Sequence, residues 1–177
     1  WDIANTLRLT ALNAAPLYGV GVDDAHNYHA RGMTRAATGR GWVQVRAADL
    51  TPESLIAAMR AGDFYASSGV TLADVRYDAA AGTLAVDVAP DGDATFKTQF
   101  VGTLAPPPGG TVAAADVGAV LATVEGTKAT YKLTGKELYV RAIVTSSKQP
   151  EDPSMKDQFK QAWTQPVGWE KRLGAKK

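Results

Sequence analysis

Residues 64–89, FYASSGVTLADVRYDAAAGTLAVDVA, change the period of the chain. From Phe64 onward apolar residues alternate with polar ones, and glycine, aspartate and alanine turn residues interrupt the alternation every few positions. Alternation at period two sends successive side chains to opposite faces and reads as half-buried strand. TFKTQFVG (95–102), AVLATVEG (119–126), TKATYKLT (127–134) and LYVRAIVTSS (138–147) continue the pattern. Several short strands separated by turn residues predict an antiparallel β-sandwich. LAPPPGGTV (104–112) is too rich in proline for a strand and reads as a connecting loop. EDPSMKDQFKQAW (151–163) is polar, with room for a short helical turn.

Upstream the pattern differs. WDIANTLRLTALN (1–13) places Trp1, Ala4, Leu7 and Ala11 at helical spacing, and the residue before Pro16 is biased away from helix. LYGVGV (17–22) reads as a buried strand whose Gly19 and Gly21 admit close approach of another backbone. Residues 30–41 read as loop and WVQVRA (42–47) as strand. In DLTPESLIAAMRAGDF (49–64) Thr51 fits an N-cap, Pro52 the first helical position and Gly62 the residue that ends the helix, with Leu55, Ala58 and Met59 on the buried face. This alternation of helix and strand is that of an α/β unit, so the chain divides near residue 68.

Composition excludes several classes. Hydrophobic residues make up 45% and charged residues 21% of the 177, and the net charge of +1 provides no global field to collect nucleic acid or an anionic membrane. Without cysteine there are no disulfides, thiolate zinc sites or cysteine nucleophiles. No apolar run approaches the roughly 20 residues of a membrane span, and no signal-peptide pattern is read. The basic stretch EKRLGAKK (170–177) reads as a solvated terminus. Trp1 opens the chain inside a helix with no cap before it, which leads us to expect the C-terminal part of something longer.

Both histidines of the chain lie in GVDDAHNYHARG (21–32), beside Asp23 and Asp24. If the strand at 17–22 runs on into this stretch, Asp24 and His26 share one face and Asp23 takes the other. A carboxylate and an imidazole side by side suit a divalent zinc, manganese or iron ion. A catalytic zinc takes about three protein ligands, so two do not complete a centre, and the rest are expected from outside these residues.

These residues resemble a known family. PLYGVGVDDAHNYH (16–29) and GRGWVQVRAADLTPESLIAAMRAGDFYASSGV (39–70) resemble the C-terminal segment of the PHP (polymerase and histidinol phosphatase) superfamily, closest to bacterial stand-alone phosphoesterases with an appended β domain. LYVRAIVTSS and AWTQPV (162–167) are similar to the last strands of that domain. The resemblance implies that residues 1–69 are the C-terminal piece of a distorted (β/α)7 barrel, followed by an antiparallel β-sandwich domain with a C-terminal tail over 70–177. It implies metal-dependent hydrolysis of a phosphate monoester or diester, with Asp24 and His26 as the last metal-ligand motif. Two or three divalent ions, zinc, manganese or iron, are implied as cofactors. The earlier ligand motifs are absent, so the missing N-terminal half of the barrel, in the same or a separate chain, is the implied partner, together with a small phosphorylated substrate. Asp23 is expected to support a ligand, and His29 and Arg40 to contact the substrate phosphate, a guanidinium binding phosphate oxygens in pairs. The appended domain points to the periplasm or the cell exterior. A second reading makes the β-sandwich a binding module and the barrel piece vestigial. A nuclease fits less well, because no basic, aromatic-rich strip is present.

Overall fold

The computed structural model describes residues 1–107 and 109–173, so the last four residues of the basic terminal stretch lie outside the described part. Among the described residues nine strands form two antiparallel sheets. In chain order the elements are α1 (Asp2–Thr10), β1 (Trp42–Val45), α2 (Pro52–Ala61), β2 (Phe64–Ser67), β3 (Leu72–Asp78), β4 (Thr83–Val88), β5 (Phe96–Leu104), β6 (Ala119–Glu125), β7 (Lys128–Lys132), β8 (Glu137–Ser146) and β9 (Gln161–Thr164). The larger sheet has the order β1-β2-β9-β8-β5-β6 and the smaller β3-β4-β7.

The alternation in TLAVDV becomes the inner face of β4, where Leu84, Val86 and Val88 are buried while Ala85 and Asp87 are only half-buried. They pack with Leu72 and Ala129 against Phe96, Phe100, Val140, Val144 and Ala162 of the larger sheet. Phe100 and Tyr131 stack across the two sheets at 5.4 Å between ring centroids. Burial of this apolar area, at about 25 cal/mol per Å², is the main force joining the layers.

The expected piece of a (β/α)7 barrel over residues 1–69 is not formed. Parallel strands require a long crossover between them. Here β1 and β2 flank α2 yet pair antiparallel, Trp42 opposite Ser67 and Val45 opposite Phe64, although the connection between them is long enough for a parallel crossover. β2 then pairs with β9, so the larger sheet takes strands from both sides of residue 69. The segment 17–22 enters neither sheet.

Helix α2 is capped as its residues dictate: the Thr51 hydroxyl accepts a hydrogen bond from the Ser54 amide at 3.3 Å, and Gly62 adopts φ +80°. Helix α1 buries a different face from the apolar one. Ile3 and Leu7 are exposed, whereas Asn5, Thr6 and Leu9 are buried. Polar contacts decide this. Asp2 accepts hydrogen bonds from the Tyr139 hydroxyl at 2.6 Å and from Arg141 at 2.6 and 3.1 Å, and Thr6 meets Thr103 at 3.1 Å. Arg141 also stacks on the Trp1 ring, 4.8 Å from its centroid.

Burial pushes the Asp2 carboxyl up, but the hydrogen bonds from Arg141 and Tyr139 outweigh it and hold the group below its ordinary value of 3.8. A carboxylate depressed in the folded state contributes stability above its unfolded pKa and loses it as pH falls through the folded one. Asp2→Asn is therefore expected to destabilise the protein by about 1.5–3 kcal/mol at pH 7, the usual range for hydrogen bonds to a charged group, and to flatten the loss of stability below pH about 4. Denaturation midpoints between pH 2 and 7 check both effects; a parallel acid limb in the variant would remove Asp2 from the linkage.

Candidate metal centre

The segment 17–23 runs across the antiparallel pair of β1 and β2. Two side-chain amides hold one of its edges. Asn5 accepts from the Leu17 amide at 2.7 Å and donates to its carbonyl at 3.2 Å. Gln165 does the same for Gly19, at 2.8 and 2.9 Å. Both amides are buried, and they take the place of a neighbouring strand. Gly21 lies so close to the hairpin that a Cβ there would come within 3.1 Å of the Trp42 carbonyl oxygen and of the Ala66 Cβ. The backbone groups of Val20 and Val22 have no backbone partner among the described residues.

Exposure alternates along the segment. Gly19, Gly21, Asp23 and Ala25 are half-buried, while Val20, Val22, Asp24 and His26 are exposed. Val20 is 58% exposed and Val22 74%, so the two form an open apolar surface leading to a carboxylate and an imidazole. Asp24 adopts φ +49°, a left-handed conformation that aspartate tolerates better than most residues and that turns the chain.

The Nδ1 atom of His26 lies 2.6 Å from the carbonyl oxygen of Asp24. A carbonyl only accepts, so Nδ1 carries a proton, and in the neutral ring Nε2 then keeps its lone pair. Metal-ligating histidines are commonly set in this way, the second ring nitrogen donating to a carbonyl or carboxylate. The Asp24 carboxylate takes no hydrogen bond from any described residue. Its carboxylate and the Nε2 of His26 thus fit a borderline divalent ion in donor type, as part of a ligand set. Among the described residues no three His, Cys, Asp or Glu side chains converge.

Asp23 turns inward and accepts from the Gly39 amide at 2.5 Å, tying the motif to the loop at 30–41. A second tie is the Ala36 carbonyl, which accepts from the amides of His26 at 2.8 Å and Asn27 at 2.9 Å. His29 is exposed. Arg40, expected to contact phosphate, is engaged elsewhere. It pairs with Asp152 at 3.0 Å and donates to the carbonyls of Gly32 and Arg35. Arg40 donates to the Asp152 carbonyl as well, so phosphate there would have to displace a carboxylate and three carbonyls. Ser67 donates to the Val70 carbonyl at 2.7 Å and Ser68 accepts from the Gln161 amide at 3.0 Å, so both serine side chains are used within the fold.

A cleft of about 800 Å³ opens beside the motif, within the range of small-molecule sites. Trp1, Val20, Val22, Met33 and Trp163 supply its apolar lining, and Asp24 and Arg35 also line it. Sequence reading missed Asp152, Asn5, Gln165 and Arg35. The first three act on residues 12 to 146 positions away, which no local pattern reveals. Arg35 emerges only once Arg40 is seen to be occupied. No helix among the described residues is long and apolar enough to cross a membrane. Comparison with family models, curated proteins and solved structures finds no match to the chain.

Proposed function

We propose that this chain contributes Asp24 and His26 to a divalent-metal centre that hydrolyses phosphate esters, the remaining ligands coming from polypeptide outside residues 1–177. One observation carries the reading. Asp24 and His26 are both exposed two residues apart, and the Asp24 carbonyl lies 2.6 Å from Nδ1 of His26, which in the neutral ring leaves Nε2 free to bind a metal. The resemblance of VDDAHNYH to the last ligand motif of PHP phosphoesterases supports it.

When bound, divalent ions would polarise the phosphoryl group and activate a water for in-line attack. The chain's own residues do the positioning. Asp24 supplies an anionic oxygen and His26 a neutral nitrogen, and Asp23 holds the motif to Gly39. Val20 and Val22 offer an apolar face to the polypeptide that completes the ligand set, and their unpaired backbone groups suit an extended segment of it.

In the complete protein a chelator is expected to abolish hydrolysis of a generic phosphomonoester or phosphodiester, and zinc or manganese to restore it. Elemental analysis before and after chelation, read beside the activity, tests this. Full activity in metal-free protein would sink the proposal.

A further inference from the structure

We propose that Arg35 grips the substrate phosphate and that the buried Arg40–Asp152 pair is the clamp that presents it. The proposal deepens the hydrolase reading and rests on it for the identity of the anion.

The clamp is built around one short loop. Arg40 and Asp152 are 9% and 12% exposed in their side chains, so both are largely withdrawn from solvent. Asp152 accepts from the Gly32 amide at 3.0 Å, and Arg40 donates to the Gly32 carbonyl at 2.9 Å and to the Arg35 carbonyl. The Arg35 amide donates to the Gly32 carbonyl at 2.9 Å and closes the turn. One residue later, Ala36 receives the amides of His26 and Asn27. The loop at 32–36 is therefore fastened at one end to the Arg40–Asp152 pair and at the other to the metal-ligand motif. Arg40 acts through this loop and is a positioning residue.

Between the two fastenings Arg35 is exposed, and its guanidinium has no partner among the described residues. It lines the cleft that Asp24 also lines. A phosphate brought beside the Asp24 carboxylate meets a like charge, so cations must stand around it. The metal is one, and Arg35 is the cationic side chain of that cleft not already spent on a protein acceptor. A planar guanidinium matches two phosphate oxygens at once, which a lysine ammonium does not.

The test uses the complete protein with Arg35→Gln, Arg35→Lys and Arg40→Gln. Arg35→Gln is expected to raise KM and the inhibition constant of inorganic phosphate roughly ten- to a hundredfold, as for loss of a charge-assisted hydrogen bond. Its kcat should change by less than about threefold, with metal content and melting temperature kept, and Arg35→Lys should recover part of the loss. Arg40→Gln should lower the melting temperature and weaken metal and phosphate together; a rise in KM alone, at an unchanged melting temperature, would make Arg40 a direct contact and overturn the clamp. Inorganic phosphate is also titrated against the ¹⁵N-labelled arginine side chains, a readout independent of turnover. A shift of the Arg35 resonance, absent in Arg35→Gln, supports the grip even if no ester is hydrolysed and the hydrolase reading falls. Unchanged phosphate affinity in Arg35→Gln overturns the proposal even if hydrolysis stands.

Discussion

Asp24→Asn and His26→Gln should each lower hydrolysis by the complete protein more than about a hundredfold and deplete its metal, with the fold kept. The lower bound follows from the supporting contacts around metal ligands, whose removal alone typically costs 10–100-fold. Neither side chain packs in the core, and both are exposed, so the sandwich has little to lose. Asp24 tolerates its φ of +49° because of its short polar side chain, and asparagine shares that tolerance, which makes it the substitution that isolates the charge. Asp23→Asn is the internal contrast. Its amide oxygen still accepts from Gly39, so the motif stays tied down and the loss should be much smaller. Metal content by mass spectrometry and initial rates on a generic phosphate ester measure all three. Wild-type rates with full metal in Asp24→Asn would remove that carboxylate from the site.

The second large effect concerns the open face. Residues 1–177 alone should be inactive and should retain no ion through desalting, because Asp24 and His26 are two ligands where a hydrolytic centre takes about three or more. Polypeptide that covers Val20 and Val22 and supplies the missing donors should restore both properties. Each valine, 58% and 74% exposed here, offers up to about 1.5–3 kcal/mol on full burial. Val22→Lys should accordingly weaken that association at least tenfold without affecting the sandwich core, to which the Val22 side chain does not belong. Binding measured by sedimentation, with activity followed in parallel, reads both. Enzyme-like rates from residues 1–177 alone would show that the ligand set needs no outside donor.

Local chemistry was legible in the sequence where it acts locally. Thr51, Pro52 and Gly62 bound α2 through contacts within their own turns, and the alternation of Leu84, Val86 and Val88 declares the buried face of β4. The pairing of β1 and β2 was not legible. Strand, helix and strand in succession are the pattern of a parallel unit, whereas β2 pairs antiparallel with both β1 and β9, the latter some 97 positions away in the match of Ala66 with Trp163. Helix α1 was legible only in part, for a related reason. Its helical spacing shows in the sequence, but its buried face does not, because Asp2, Asn5 and Thr6 find partners at Tyr139, Arg141, Leu17 and Thr103. At the candidate site Asp24 and His26 stand out by their spacing, but the strand that would set them on one face does not form, and Asp24 turns the chain with φ +49°. The role of Arg40 could not, since it depends on Asp152, 112 residues away.

Electron spin-echo spectroscopy of the manganese-loaded complete protein, with ¹⁵N-labelled histidine, tests the central claim most directly. Loss of one imidazole-nitrogen coupling to the ion in His26→Gln, with the wild-type coupling intact in His29→Gln, is the expected result. Manganese that supports hydrolysis with the same nitrogen coupling in wild type and His26→Gln would contradict it.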